Sequence, residues 1–166
     1  MDDLKFWALV QRAHDDSGGD MDQKCEAITE ALSQLSAEEA LAFSRLFDAA
    51  RDRAYTWPLW GAAYIINGGC SDDSFSDFRS ALISRGHEAF EKALADPDSL
   101  ADEDYDEDAW FYESYHYAVM DGVEAAIGSA PQRDGKHPEE PSGDAWDEDD
   151  ADALRARFPR LSEKFA

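Results

Sequence analysis

The sequence predicts an all-α fold, a compact multi-helix bundle with a helical C-terminal segment docked on it. Three observations predict it. Apolar residues recur at three- and four-residue spacing along most of the chain, no segment alternates apolar and polar residues as a half-buried strand would, and helix-starting and helix-stopping residues punctuate the apolar runs.

Phe6, Leu9, Val10 and Ala13, widened by Leu4 and Trp7, predict a first helix over about Asp3 to His14, which "DDSGGD" ends. Met21, Cys25, Ile28, Leu32 and Leu35 then follow in four-three alternation. That places Cys25 on a buried face, with its thiol inert. Ser36 and Glu39 form a capping box at the start of a third helix, whose buried face is Ala40, Phe43, Leu46, Phe47 and Ala50. In "YTWPLWGAAYIIN", Pro58 suits a first helical turn, where its missing N–H has no intrahelical partner, and Thr56 or Trp57 is the cap.

Asn67, Gly68 and Gly69 read as a C-cap and chain reversal, with Ser71 or Asp72 capping the next helix. That helix buries Phe75, Phe78, Leu82 and Ile83 and closes at Gly86, and "HEAFEKALADPDSL" adds a shorter one that Pro97 ends. The stretch "DEDAWFYESYHYAVMDGVEAAIG" predicts one very apolar helix suited to the middle of a bundle. Residues 1–127 are therefore the helical domain and 128–145 a flexible linker rich in Pro, Gly and charge. Residues 146–166 form a segment that packs back through Trp146, Leu154, Phe158, Leu161 and Phe165.

Charge narrows the function. The 166 residues carry a formal net charge of -23, yet 43% hydrophobic residues, with nine Phe, six Tyr and five Trp, supply a core. So acidic a chain is a poor ligand for a nucleic-acid backbone or an anionic membrane surface, both of which recruit clustered Lys and Arg. A basic protein suits it better. From Ala93 to Gln132 there are eleven Asp or Glu and no Lys or Arg. The start "MDDLKFWALVQRAHDD" lacks the basic residues and cleavage site of a signal peptide, and two distant cysteines outline no disulfide framework, so a cytoplasmic location is expected.

"YTWPLWGAAYIINGGCSDDSFSDFRSALISRG", with "FWALV", "ALADPDSLA" and "RFPRL", resembles a bacterial family known as domain of unknown function 4240. The resemblance covers most of the chain and implies an all-helical fold. It brings no activity, cofactor or catalytic residue with it. In that pattern an aromatic usually stands where this chain has Ala81, and another often where it has Ser162.

Several motifs carry chemistry. A phosphate cradle at "NGGCSDD" is disfavoured because Asp72 and Asp73 already occupy the positive helix end. Cys70 would become a nucleophile only if His14, His87 or His116 approached it. Trp57, Trp60 and Tyr64 share one helix face, either as core or as an aromatic wall for a ligand, and Arg79 is placed to pair with Asp72 or Asp73. Glu113 and His116 make half of a di-metal motif whose second copy is missing. Asp102, Asp104, Asp106, Asp108 and Glu113 mimic a calcium loop, but Glu107 stands where the sharp turn needs glycine.

The expectation is therefore a small acidic binding or regulatory protein that engages a basic protein, with no cofactor and no metal called for. The alternative is a small-ligand protein or enzyme with a pocket beside the Trp57, Trp60 and Tyr64 face and the corner from Asn67 through Asp72 to Asp73, with Cys70, Asp73 and Arg79 at its mouth and His116 or Glu113 contributing from the central helix.

Overall fold

A computed structural model describes residues 1–165. It is all-α. Ten α-helices and one 3-10 helix lie among the described residues: α1 (Asp3–Ser17), α2 (Met21–Ser33), α3 (Ala37–Arg53), α4 (Trp57–Asn67), α5 (Asp72–Ser84), α6 (His87–Ala95), the 3-10 helix (Pro97–Asp102), α7 (Glu107–Trp110), α8 (Ser114–Ile127), α9 (Ala151–Arg157) and α10 (Pro159–Phe165).

Local chemistry starts and stops these elements. Asp2, Asp20, Ser36, Thr56, Ser71, Asp106 and Asp150 each accept a backbone N–H of the first turn that follows, satisfying donors with no intrahelical partner. α1 runs past His14 to Ser17, whose buried hydroxyl donates to the His14 carbonyl at 2.9 Å. At the end of α4, Gly68 adopts φ 68°, a left-handed conformation that costs a residue without Cβ little, and the Gly69 N–H closes on the Tyr64 carbonyl at 2.8 Å.

The long helix expected through "DEDAWFYESYHYAVMDGVEAAIG" is divided, with Phe111–Glu113 breaking it into α7 and α8. Successive helical residues point about 100° apart. The break frees Trp110 and Phe111 to approach the Phe78 ring together, at centroid distances of 6.4 and 5.2 Å, while the Tyr112 hydroxyl reaches Asp22. α8 keeps the central place, packing along α2 and against α3 and α5. Gly122 permits the close α2 contact: a Cβ there would stand 2.8 Å from the Leu32 Cβ and 2.9 Å from the Thr29 carbonyl oxygen.

The buried face of α2 is rotated from the expected stripe. Lys24, Ile28 and Leu32 are its buried residues, whereas Met21 and Cys25 are half-buried. One core runs from Phe6 and Val10 through Phe43, Leu59, Phe75 and Phe90 to Tyr115 and Val123, and it includes Leu154, Phe158 and Leu161 of the C-terminal segment. Between α8 and α9 the chain forms no helix. It crosses α3, where Arg133 pairs with Asp52 and Asp48 and His137 Nδ1 lies 3.1 Å from Asp52. It then meets α4 in one parallel bridge between Thr56 and Ser142.

Candidate functional site

The corner between α4 and α5 has the geometry its residues dictate. Asn67 donates to the Gly69 carbonyl, Ser71 accepts the Ser74 N–H, and the Trp60 indole donates to the Cys70 carbonyl at 2.9 Å. Trp60 thus ties the corner to the aromatic face of α4. Trp57 and Trp60 stack at 5.6 Å, and Trp60 stacks on Phe75 at 5.1 Å.

That face is covered. Trp146 stands edge-on to Trp57 and Trp60, lies 4.9 Å from the Tyr64 ring and donates its indole N–H to the Trp57 carbonyl at 2.8 Å. Beneath it, Gly61 leaves room for Phe158: a Cβ at Gly61 would come within 2.7 Å of the Phe158 ring. Trp57, Trp60 and Tyr64 are consequently half-buried side chains packed under a second layer.

Cys70 is chemically quiet. Burial pushes its thiol up to about 12, a shift that Asp72 and Asp77 reinforce, and its S–H faces the Ser71 carbonyl. No imidazole bonds it among the described residues: His87 stacks on Trp7, His116 packs edge-on to Phe47, and His14 lies toward Lys24. Arg79 forms no ion pair with Asp72 or Asp73. It is only 1% exposed, with its guanidinium 4.4 Å over the Tyr55 ring and 4.9 Å over Phe75, while Asp72 accepts from the Tyr55 hydroxyl at 3.1 Å. Burial lowers its pKa to about 10, and nearby Arg51 adds to the shift. Stacking between rings replaces the expected charge pair.

Three grooves meet around the start of α8. The first, about 740 Å³, runs between the α2 N-terminus, α5 and α7 and is lined by Asp20, Asp22, Asp77, Asp106, Glu107, Asp108 and Glu113 among others. A second, about 380 Å³, shares Asp77 and Glu113 and adds Asp73, Ser76, His116 and Tyr117. The third, about 650 Å³, shares Tyr117 and lies between Glu26, Glu30 and Asp121. Among the described residues no Lys or Arg lines any of them, and none of these carboxylates has an ion-pair partner. Tyr117, 56% exposed, stands where two grooves join.

The electrostatics follow from that lining. Burial raises the Asp77 pKa, and the neighbouring Glu113 and Asp73 carboxylates add to it. His116 is pushed down to about 4 by burial and by the Arg51 guanidinium, so its imidazole is neutral at pH 7. Glu113 and His116 share a groove as their spacing implies, yet no group of three metal-binding side chains occurs among the described residues. The face can attract and hydrogen-bond cations.

Sequence reasoning missed three residues. Lys24 is 1% exposed, reaches Ser84 Oγ at 3.2 Å, and has its pKa lowered to about 8 by burial and Arg85. Its place one turn before Ile28 and two before Leu32 was the available signal. For Trp146 the docking was expected, but its seat on Trp57 was not legible. Tyr117 was read as part of an apolar helix and proves to be its exposed ring.

No helix among the described residues is long and apolar enough to cross a membrane. No curated protein and no solved structure matches the chain. A family model described as "Protein of unknown function (DUF4240)" matches residues 1–124, which take in the α4–α5 corner, the aromatic face and most of α8, whereas Trp146 and "RFPRL" lie beyond it. With 124 of its 166 residues matched, the chain belongs to the DUF4240 family.

Proposed function

We propose that this is a binding or regulatory protein of the bacterial cytoplasm that engages a basic protein through the acidic grooves around α8. The observation that carries the reading is the segregation of charge. Arg53, Arg85, Lys92, Arg133 and Arg160 pair with carboxylates away from these grooves, and Arg51 bonds Ser76. Among the described residues none of the groove carboxylates is in an ion pair; Asp77 feels the Glu113 and Asp73 carboxylates, and Arg51, bonded to Ser76, only partly offsets them. A partner's Lys and Arg side chains would relieve that repulsion, and the exposed Tyr117 ring offers a flat surface for a guanidinium.

Residues flanking the α4–α5 corner serve this reading as scaffold. The layer of Trp146 and Phe158 over Trp57, Trp60 and Tyr64, and the high thiol pKa of Cys70, weigh against a small-ligand pocket there. An oligo-arginine peptide titrated into the chain by calorimetry tests the proposal. Binding should weaken steeply with salt, and the triple variant Asp73→Asn, Asp77→Asn, Glu113→Gln should lose at least about tenfold in affinity, since each partly buried charge contact contributes on the order of 1 kcal/mol. Equal affinity of variant and parent would sink it.

A further inference from the structure

The C-terminal segment touches the rest of the chain as a bound peptide touches a receptor. It begins with a backbone bridge: the Trp57 N–H donates to the Ser142 carbonyl at 2.8 Å and the Ser142 N–H to the Tyr55 carbonyl at 3.0 Å. Trp146 then anchors on the α4 aromatics, and Phe158 fills the space over Gly61. α10 follows on the 3-10 helix. There Asp98 accepts the N–H groups of Arg160 and Leu161 at 3.2 and 2.9 Å, Asp102 pairs with the Arg160 guanidinium, and Lys164 Nζ reaches the carbonyl oxygens of Ala101 and Glu103 at 3.1 and 2.7 Å.

Each contact reads a chemical feature of the segment: extended backbone, aromatic anchor, helix start, two cations. The receiving residues, Tyr55 to Gly61 and Asp98 to Glu103, all lie within residues 1–124, the stretch matched by the family, and the segment lies outside it. No helix joins the two, since α8 ends at Ile127 and α9 begins at Ala151.

We propose that the groove between α4 and the 3-10 helix is a peptide-binding site for a segment bearing an aromatic anchor and a cationic helical end, closed in this chain by residues 142–165, whose Arg155–Lys164 stretch supplies the cations, and opened when a partner segment of the same chemistry displaces them. The proposal rests on the basic-partner reading and adds a second surface that recognises side chains individually. The tether sets its regulation. A ligand on the same chain competes at an effective concentration in the millimolar range, so a free segment must bind far tighter or arrive when the tether loosens. Arg133, Arg45 and Arg160 hold the segment and its approach through partly exposed ion pairs, which salt weakens.

The test uses the full chain and a fluorescein-labelled synthetic peptide of residues 141–165, read by fluorescence anisotropy. The Arg160→Glu and Trp146→Ala chains should bind the peptide at least tenfold tighter than the parent chain, whose groove is filled. A peptide carrying both substitutions should bind the Arg160→Glu chain at least tenfold more weakly. Arg160 is half-exposed, so this variant keeps its core, and circular dichroism verifies that it does. Equal binding by all three chains, absence of saturable binding to the Arg160→Glu chain, or indifference to the peptide's substitutions would each overturn the proposal. A doubled mass in light scattering that the peptide competes away would assign the groove to a second copy and overturn the assignment to a foreign partner. The Asp77→Asn, Glu113→Gln chain should bind this peptide unchanged, which separates failure here from failure of the acidic-face reading.

Discussion

The carboxylates of α3 and the 3-10 helix and those around the start of α8 begin from the same chemistry and end in different states. Asp48 and Asp52 hold Arg133, Asp98 caps α10, and Asp102 pairs with Arg160, so these four carboxylates find their partners within the chain. Asp73, Asp77, Glu107, Asp108 and Glu113 have no ion-pair partner among the described residues. Paired acids fasten the C-terminal segment, whereas unpaired acids repel one another and leave their attraction for something outside the chain. Equal acidity in sequence therefore carries no common meaning; the position of fifteen cations decides it.

The largest effect should come from detaching the fastened segment. Trp146→Ala removes a half-buried ring and an indole hydrogen bond, for an expected loss of about 2–3 kcal/mol in urea unfolding, below the range for a fully buried Trp. Amides of 142–161 should then exchange faster while affinity for oligo-arginine stays unchanged. A parallel fall in affinity would show that the two acidic regions are coupled.

Lys24 tests whether a cation can serve neither region. It is enclosed near Ser84, His14, Arg85 and Cys25, and its pKa falls from 10.5 to about 8. The unfolded chain then holds a proton that the folded chain has lost between about pH 8 and 10.5, so the contribution of Lys24 to stability improves as pH rises through that window. Lys24→Met should accordingly stabilise at pH 7, by on the order of 1–2 kcal/mol, and its advantage should shrink toward pH 10.5. Thermal melts of both chains from pH 6 to 10 check this, and a constant difference would refute it.

Two smaller changes oppose one another in sign. Arg160→Ala removes a cation from the paired region and should cost about 0.5–1 kcal/mol, the ordinary worth of a half-exposed pair. Asp77→Asn removes an anion from the unpaired face and should gain a few tenths of a kcal/mol at pH 7, because solvent screens most of the repulsion. The raised pKa of Asp77 means its ionised form destabilises the fold, so this gain should vanish as acid protonates the carboxylate in both states. A loss of stability in Asp77→Asn would show that attraction to the nearby Arg51 outweighs repulsion from Glu113 and Asp73.

Much of the fold was legible from short-range physics. Helix starts needed only a side chain and an N–H two or three residues on, as at Asp20 and Ser36, and the Gly68–Gly69 reversal needed only permissive backbones. The break at Phe111–Glu113 was not legible, because it depends on Phe78 and Asp22, each distant in sequence. Of the candidate residues, Trp57, Trp60 and Tyr64 were correctly grouped on one face, but Trp146 comes from 82 residues beyond Tyr64.

The sequence by itself determined that this chain is helical, acidic and closed at its Asn-Gly-Gly corner, since periodicity, net charge and capping are properties of neighbouring residues. Only the tertiary structure decided which acids are spent on Arg133 and Arg160 and which remain, where Lys24 is enclosed, and that Trp146 covers the α4 rings. Those outcomes depend on contacts between residues far apart in the chain, and such contacts exist only once the helices have packed.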